Sequence, residues 1–233
     1  MKEFVLTVCV VMAAGFLTPA LGEHVNDPPW VTDPTDPEWA GGTTTSQTWG
    51  FMDESWFPYF YPEEMNNPFG EPSVELLGDM SYMPPGSGAT DPNGNPTGAV
   101  HFDGESGEIK ITIANFPPQN PKKVIWLEVT SDTAIPPGGI TTSPPGTPMT
   151  GLPGGAGWSV PPHSPAPSGK WWYTYTYGFE IRPNPESETI TIDAVPCTWI
   201  EEIVVHTICT VPEPATLGLL AVGTVALIRR RRR

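Results

Sequence analysis

Basic residues are scarce through most of this 233-residue chain. Between Glu23 and Glu213 there are five of them against twenty-five acidic residues, which gives that stretch a net charge of −20. Such a surface repels nucleic acid and anionic lipid. The composition therefore excludes a nucleic-acid-binding protein and favours a soluble extracellular protein, or one that collects cations.

Sequence motifs of common catalytic sites are also missing. The chain has no G-x-S-x-G, no H-E-x-x-H and no G-x-x-x-x-G-K, and its four histidines are scattered without a repeated spacing. Acidic pairs remain at Glu63-Glu64 and Glu201-Glu202. A glycan hydrolase needs two carboxylates at a defined separation across a cleft, which a sequence does not give. We expect a non-catalytic protein without a cofactor and keep a glycan hydrolase as an alternative.

Cysteine is nearly absent, with three residues in the whole chain. Cys9 lies in a segment that we expect to be removed, which leaves Cys197 and Cys209 as an even pair. In an exported protein an even pair predicts a disulfide. Two independent buried thiols are the alternative, and no Cys or His cluster at metal-ligand spacing accompanies them.

The first 22 residues have the pattern of a secretory signal peptide. Lys2 gives a short basic start, an apolar run follows over residues 4–16, and small residues precede a cleavage site between Gly22 and Glu23. A buried N-terminal helix or an uncleaved anchor is the alternative. The pattern predicts export and processing by a signal peptidase.

Proline is abundant, at 31 residues, and it is excluded from helix interiors and central strands. Many turns between short strands are therefore expected. The predicted fold is all-β: a single antiparallel, jelly-roll-like β-sandwich over residues 45–210, after an extended acidic lead-in at 23–44. A signal peptide and a short C-terminal transmembrane helix flank this body.

Alternating apolar residues predict the strands of the sandwich. Residues 107–116 and 122–131 each place isoleucine, leucine or valine on one face, and the short "PPQNP" between them suggests a hairpin. Three later strands, within residues 171–183, 187–195 and 199–209, are expected to form a meander, its last strand tied back by the disulfide. Residues 135–169 are rich in Pro, Gly, Ser and Thr and predict a long exposed loop, either functional or a tolerated insertion.

An aromatic stripe marks the first strand of that meander and has two interpretations. Aromatic faces stack on sugar rings, so a carbohydrate-binding module is an alternative function, with Trp158 and Trp171 beside the long loop as candidate stacking residues. The favoured interpretation is the buried face of a sheet, since such residues suit a pleated, half-buried surface. The stripe consists of Trp171, Tyr173, Tyr175, Tyr177, Phe179 and Ile181.

One segment partly matches a calcium-binding loop. Asp91, Asn93 and Asn95 stand at positions 1, 3 and 5 of such a loop, where oxygen ligands alternate. Pro96 replaces the required glycine and Phe102 stands where the bidentate glutamate belongs. An ordinary Pro/Gly/Asn turn is the preferred interpretation.

The tail combines a short apolar segment with a basic end. Residues 215–228 would form a helix of about 21 Å against a hydrocarbon core of about 30 Å, short for a permanent span. The arginines that follow would stop translocation and keep the end cytoplasmic. These membrane-stop residues are Arg229, Arg230, Arg231, Arg232 and Arg233.

The junction Val211-Pro212-Glu213-Pro214-Ala215, the apolar segment and the arginine run together resemble the PEP-CTERM sorting signal of exported bacterial proteins. The resemblance implies recognition by an exosortase at Pro212-Glu213-Pro214 and a transient inner-membrane anchor. It also implies delivery to the cell surface, an outer layer or an extracellular matrix, often with exopolysaccharide. Within residues 66–209, the stretches "NNPFGEPSVE", "YGFEIRPNPESETITI" and "IEEIVVHTIC" are similar to a group of PEP-CTERM proteins whose body is a predicted β-sandwich of unknown function. This resemblance implies no catalytic residue.

Overall fold

The computed structural model describes residues 28–33, 39, 41–53, 56–85, 97–104, 107–115, 121–149, 172–193 and 195–210. In these ranges the chain is almost entirely β-structure, with one helix, α1 (Pro29–Thr32), and a 3-10 turn at Pro137–Gly139. The all-β prediction is confirmed. The strands in chain order are β1 (Thr43–Trp49), β2 (Tyr59–Phe60), β3 (Glu64–Asn66), β4 (Ser73–Leu77), β5 (Met80–Met83), β6 (Ala99–Phe102), β7 (Glu108–Ala114), β8 (Lys122–Ser131), β9 (Ile140–Ser143), β10 (Thr147–Pro148), β11 (Tyr173–Ile181), β12 (Ser187–Asp193) and β13 (Trp199–Thr210).

The strands form two antiparallel sheets. The larger has the order β10-β11-β8-β13-β1-β3, with β6 also paired to β13 and β5 to β6, and the smaller has the order β2-β4-β7-β12-β9. One hydrophobic core draws on both sheets, for example on Ile111 of β7, Leu127 of β8 and Ile190 of β12, all fully buried. The sheets therefore pack face to face as a sandwich.

Alternation explains which residues reach that core. In β7 the isoleucines at 109, 111 and 113 are buried while Lys110 and Thr112 point outward. Strand β8 differs, because every residue in it is buried. Its outer face is therefore covered by other parts of the chain.

Residues from the predicted lead-in supply that cover. Trp30 of α1 and Trp39 are buried and form a second hydrophobic cluster with Trp126 of β8. The Trp30 ring centroid lies 5.4 Å from that of Trp39 and 6.3 Å from that of Trp126. The prediction of an extended lead-in is wrong for Pro29–Thr32, since the indole anchors one helical turn to the sheet.

The predicted connections between strands require two corrections. Strand β7 pairs with β4 and β12, whereas β8 pairs with β11 and β13, so these neighbours in sequence lie in different sheets and form no hairpin. Strands β11, β12 and β13 likewise alternate between the sheets and form no meander. The physical reason is that a short connection can cross the space of about 10 Å between packed sheets as readily as it can close a hairpin.

The predicted disulfide is also wrong. Cys197 is exposed before β13 and Cys209 is buried near its end, and their sulfur atoms are not joined. An extended strand of this length separates the two residues by about 30 Å, whereas a disulfide requires Cα atoms within about 7 Å. The spacing resembled a small loop, but the intervening residues form one continuous strand.

The predicted long loop contains strands in its first part. Residues of β9 pair with β12, and those of β10 pair with β11. The β-branched run Ile140-Thr141-Thr142 favours this pairing. Residues 150–171 lie outside the described part of the chain.

Candidate functional site

Three polar side chains meet inside the sandwich, and we call them the Lys–Asn–Glu cluster: Lys123, Asn115 and Glu188. Lys123 lies on the same face of β8 as Ile125 and Leu127 and is fully buried. Glu188 lies on the inward face of β12 and is 1% exposed, and Asn115, directly after β7, is 6% exposed. The cluster therefore joins side chains from both sheets within the apolar interior.

Each member of the cluster contacts the other two. The Lys123 Nζ forms an ion pair with Glu188 Oε1 and donates a hydrogen bond to Asn115 Oδ1. The Asn115 Nδ2 donates to Glu188 Oε2 and, at 2.9 Å, to the Pro185 carbonyl oxygen. One carboxylate thus contacts both the lysine nitrogen and the amide nitrogen.

Burial dominates the electrostatics of this carboxylate. Desolvation raises the pKa of Glu188 above its ordinary value, although Lys123 and the hydrogen bond from Asn115 act in the opposite direction. A buried carboxyl group of this kind holds a proton more readily than an exposed one. Glu188 is therefore suited to accept a proton from a neighbouring group and to pass it on.

The cluster lies at the end of the sandwich where β13 finishes. Lys123 is the cross-strand partner of Cys209, and the next pair is Lys122 with Thr210. Residue 211, the first of the predicted sorting junction, follows immediately in the sequence. The described body therefore leads into the tail directly from a central strand of the larger sheet.

A second candidate site is an open groove on the surface, which we call the aromatic groove. It has a volume of about 260 Å³ and is lined by Trp56, Tyr61, Pro62, Met65 and Glu71. The rings of Trp56 and Tyr61 stand nearly perpendicular, with centroids 5.8 Å apart. An aromatic wall beside a carboxylate presents both an apolar face and a hydrogen-bond acceptor.

The same stretch of sequence holds further exposed aromatic side chains. Phe57, Tyr59 and Tyr61 are each more than 40% exposed, as is Met65. The Tyr59 hydroxyl bonds to Glu75, which is the main cause of a raised Tyr59 pKa. Exposed aromatic residues in one short stretch form a candidate contact surface.

The predicted aromatic stripe, in contrast, faces the core. Tyr175, Tyr177, Phe179 and Ile181 are buried and belong to the main hydrophobic cluster, and Tyr173 packs against it half-buried. The favoured core interpretation is confirmed for these residues. The candidate stacking residues Trp158 and Trp171 lie outside the described residues.

One carboxylate of each acidic pair accepts hydrogen bonds from nearby groups of the protein. Glu63 accepts hydrogen bonds from the backbone N–H groups of Gly50 and Met52, at 2.8 and 2.9 Å. Glu201 is buried and accepts a hydrogen bond of 2.8 Å from the Thr97 hydroxyl. These contacts hold the surrounding backbone and side chains, and the hydrolase alternative gains no support from them.

Several predicted sites lie outside the described residues: Gly22 and Glu23 of the signal cleavage site, the calcium candidates Asp91, Asn93 and Asn95, the sorting junction 211–215 and the arginines 229–233. Within the described residues no group of His, Cys, Asp and Glu is arranged to hold a metal ion. That part of the chain also holds no helix with the length and hydropathy needed to cross a membrane.

The described body belongs to the class of all-β domains built from two antiparallel sheets, and its last strand runs into the tail. Residues 210–233 match the family model of the PEP-CTERM protein-sorting motif. The chain therefore carries this motif, as its sequence predicted. No curated protein matches the chain.

Sequence reasoning missed both candidate sites in the body. Strand parity places Lys123 on the same face as Ile125, and Glu188 on the same face as Ile190. A charged residue on each apolar face could therefore have indicated a buried polar site. Asn115 gave no such indication, because it follows the alternating run. The aromatic groove could not be predicted, because its residues lie in a turn-rich stretch without alternating or helical periodicity.

Proposed function

We propose that this chain is an exported, non-catalytic protein of the bacterial cell surface or extracellular matrix, which an exosortase sorts and processes through Pro212-Glu213-Pro214. The match of residues 210–233 to the sorting motif supports this proposal most directly. The strongly acidic composition between the two ends agrees with an extracellular location. Signal peptidase would cut between Gly22 and Glu23.

In this proposal the enzyme acts directly after the folded body. Strand β13 ends at Thr210, which is half-buried at the boundary of the sheet. The proposed recognition residues begin two positions later and so follow the folded body with almost no spacer. In this proposal the apolar segment anchors the chain only until processing.

Replacement of Pro212, Glu213 and Pro214 by Ala tests the sorting role. We expect a full-length, membrane-retained species in the native host, detected by immunoblotting of membrane and extracellular fractions and by intact mass. The matched control replaces Pro37 and Glu38, a Pro-Glu pair from the lead-in, and should be processed normally. Unchanged processing and location of the first variant would show that the sorting proposal is wrong.

A second candidate role is binding of a neutral glycan in the aromatic groove. The perpendicular rings of Trp56 and Tyr61 offer a stacking face, and the Glu71 carboxylate could accept hydrogen bonds from sugar hydroxyls. The net charge of the body disfavours anionic polysaccharides, so a neutral ligand is the better match.

Affinity electrophoresis in gels that contain neutral polysaccharides, such as dextran or hydroxyethylcellulose, tests this second role. We expect the wild-type protein to be retarded and the Tyr61→Ala variant to lose most of that retardation. Tyr59→Ala is the control, because Tyr59 is similarly exposed but does not line the groove. Equal mobility of both variants and the wild type would remove the groove as a glycan site.

A further inference from the structure

We propose that Lys123 and Asn115 become joined by an intramolecular isopeptide bond, with Glu188 as the catalytic residue that relays the protons. The amine and the side-chain amide are in direct contact, and the carboxylate contacts both nitrogens. All three side chains are at least nine-tenths buried between the two sheets. This proposal is independent of the sorting role and of the aromatic groove.

The reaction is the exchange of one amide for another. The Lys123 Nζ, after giving a proton to Glu188, attacks the Asn115 Cγ and forms a new C–N bond. Glu188 then returns this proton to Nδ2, the bond between Cγ and Nδ2 breaks, and ammonia leaves. The attacking nitrogen gives its second surplus proton to the freed carboxylate, so Glu188 ends the reaction protonated. The products are a secondary amide and one ammonia molecule, so no oxidant, reductant or other reactant is required.

The contacts place Glu188 where both proton transfers occur. Its Oε1 meets the attacking nitrogen and its Oε2 meets the leaving nitrogen, so one carboxyl group lies within reach of both nitrogens that exchange protons. The Pro185 carbonyl oxygen accepts a second hydrogen bond from Nδ2 and fixes the orientation of the amide. Holding the reacting groups together replaces an encounter in solution with a local step.

The apolar surroundings favour the same reaction. An ion pair inside a hydrophobic core is costly, because both charges lose their hydration. Passage of the proton from Lys123 to Glu188 removes both charges, and the raised pKa of Glu188 agrees with that direction. Exclusion of bulk water also protects the intermediate from hydrolysis.

The bond would connect the two sheets covalently at the tail end of the body. Asn115 follows β7 of the smaller sheet, and Lys123 is the second residue of β8 in the larger one. The ring that closes between them spans nine residues of the sequence, and its Lys123 end pairs with Cys209 near the end of β13. A domain without a disulfide between its two described cysteines would gain a permanent staple at this point.

Mass spectrometry of the full-length wild-type chain tests the proposal directly. The chain should weigh less than its sequence by one ammonia, about 17 Da. After trypsin digestion, residues 111–122 should remain attached to residues 123–170, because modified Lys123 is not cut and the bond bridges any cut after Lys122. Tandem mass spectrometry should place the branch between Asn115 and Lys123.

The peptide map also separates this reaction from other losses of ammonia. A succinimide at Asn93-Gly94 would give the same mass change, but in the tryptic peptide that ends at Lys110 rather than in residues 111–170. Release of residues 111–122 as an unmodified peptide from the wild-type chain would overturn the proposal. This result requires no variant, so a failure of variants to fold does not affect it.

Variants identify the roles of the three residues. Lys123→Arg and Asn115→Ala should abolish the linked peptide, and Glu188→Gln, which keeps the shape but not the relay, should reduce it from near completion to a small fraction. Lys122→Arg is the matched control, since Lys122 neighbours the reacting lysine and pairs instead with Glu180 at 3.9 Å. Full linkage in Glu188→Gln would overturn the assigned role of Glu188.

Discussion

Removal of one hydroxyl group by the substitution Tyr177→Phe should measurably destabilise the sandwich. Tyr177 lies on β11 and is 5% exposed, and its hydroxyl donates a hydrogen bond of 2.7 Å to the carbonyl oxygen of Ile135. Ile135 is itself buried and begins the segment that leads to β9. The bond therefore fixes a segment of irregular backbone to the core.

The size of the effect follows from the acceptor that remains. A net hydrogen bond contributes about 1 kcal/mol, and a buried carbonyl left without its donor adds a desolvation cost of similar size. We expect the free energy of unfolding to fall by about 2 kcal/mol. For a domain of this size that corresponds to a decrease in Tm of about 4–8 °C.

Urea unfolding followed by tryptophan fluorescence measures this change. The midpoint of Tyr177→Phe should shift by about 1 M at an unchanged slope. Tyr59→Phe is the control, because its hydroxyl bonds to Glu75 but the side chain is half exposed, so water replaces the lost bond. A Tyr177→Phe midpoint equal to that of the wild type would refute the reasoning.

Three further outcomes follow from the packing. Burial raises the pKa of Tyr177 well above its ordinary value of 10.0. The neutral hydroxyl group therefore contributes its full stability below pH 10, and this contribution declines as the pH rises above 10. The free energy of unfolding, measured as a function of pH, should decline less steeply above pH 10 for Tyr177→Phe than for the wild type. Trp30→Ala should lower the free energy of unfolding by about 3 kcal/mol, because the side chain packs on Trp126 of β8. Calorimetry measures this loss, and an unchanged unfolding transition would show that α1 does not dock on the sheet. Gly98→Ala should cost about 3 kcal/mol, because a Cβ there would lie 1.7 Å from the Phe51 carbonyl oxygen. Gly138→Ala, with open space around the new Cβ, should stay within about 0.5 kcal/mol of wild type, and equal denaturation midpoints for the two glycine variants would contradict this.

Strand positions could be predicted from the sequence because alternation is a local property. Ile109 and Ile111 are apolar and buried, whereas Lys110 between them is charged and points outward. This alternation is visible within three residues, so no distant part of the chain is needed to interpret it. Pairing is different, since β7 and β8 each have strong patterns that say nothing about which sheet they enter. The sequence also could not show that β8 is buried on both faces, because that depends on Trp30 docking from far along the chain.

The buried cluster was partly predictable. Lys123 and Glu188 interrupt apolar faces, and a charge on such a face requires a partner when the strand is central. The sequence did not identify the partner, because β8 and β12 lie in opposite sheets and meet only across the core. The aromatic groove depends on the relative placement of short strands and turns, which has no periodic pattern.

The course of β13 has a mechanical consequence. It is antiparallel to β8 over ten positions and to β1 over seven, and it ends where the tail begins. Ladder hydrogen bonds lie across the strand, so a pull along β13 from residue 210 strains many of them at once instead of one after another. We expect single molecules stretched between residues 49 and 210, which shears β1 against β13, to resist a higher force than molecules stretched between residues 43 and 210, which opens the same pair from one end. Equal forces in the two geometries would show that this ladder does not carry the tension, whereas a clear difference would show that the ladder resists tension applied along β13.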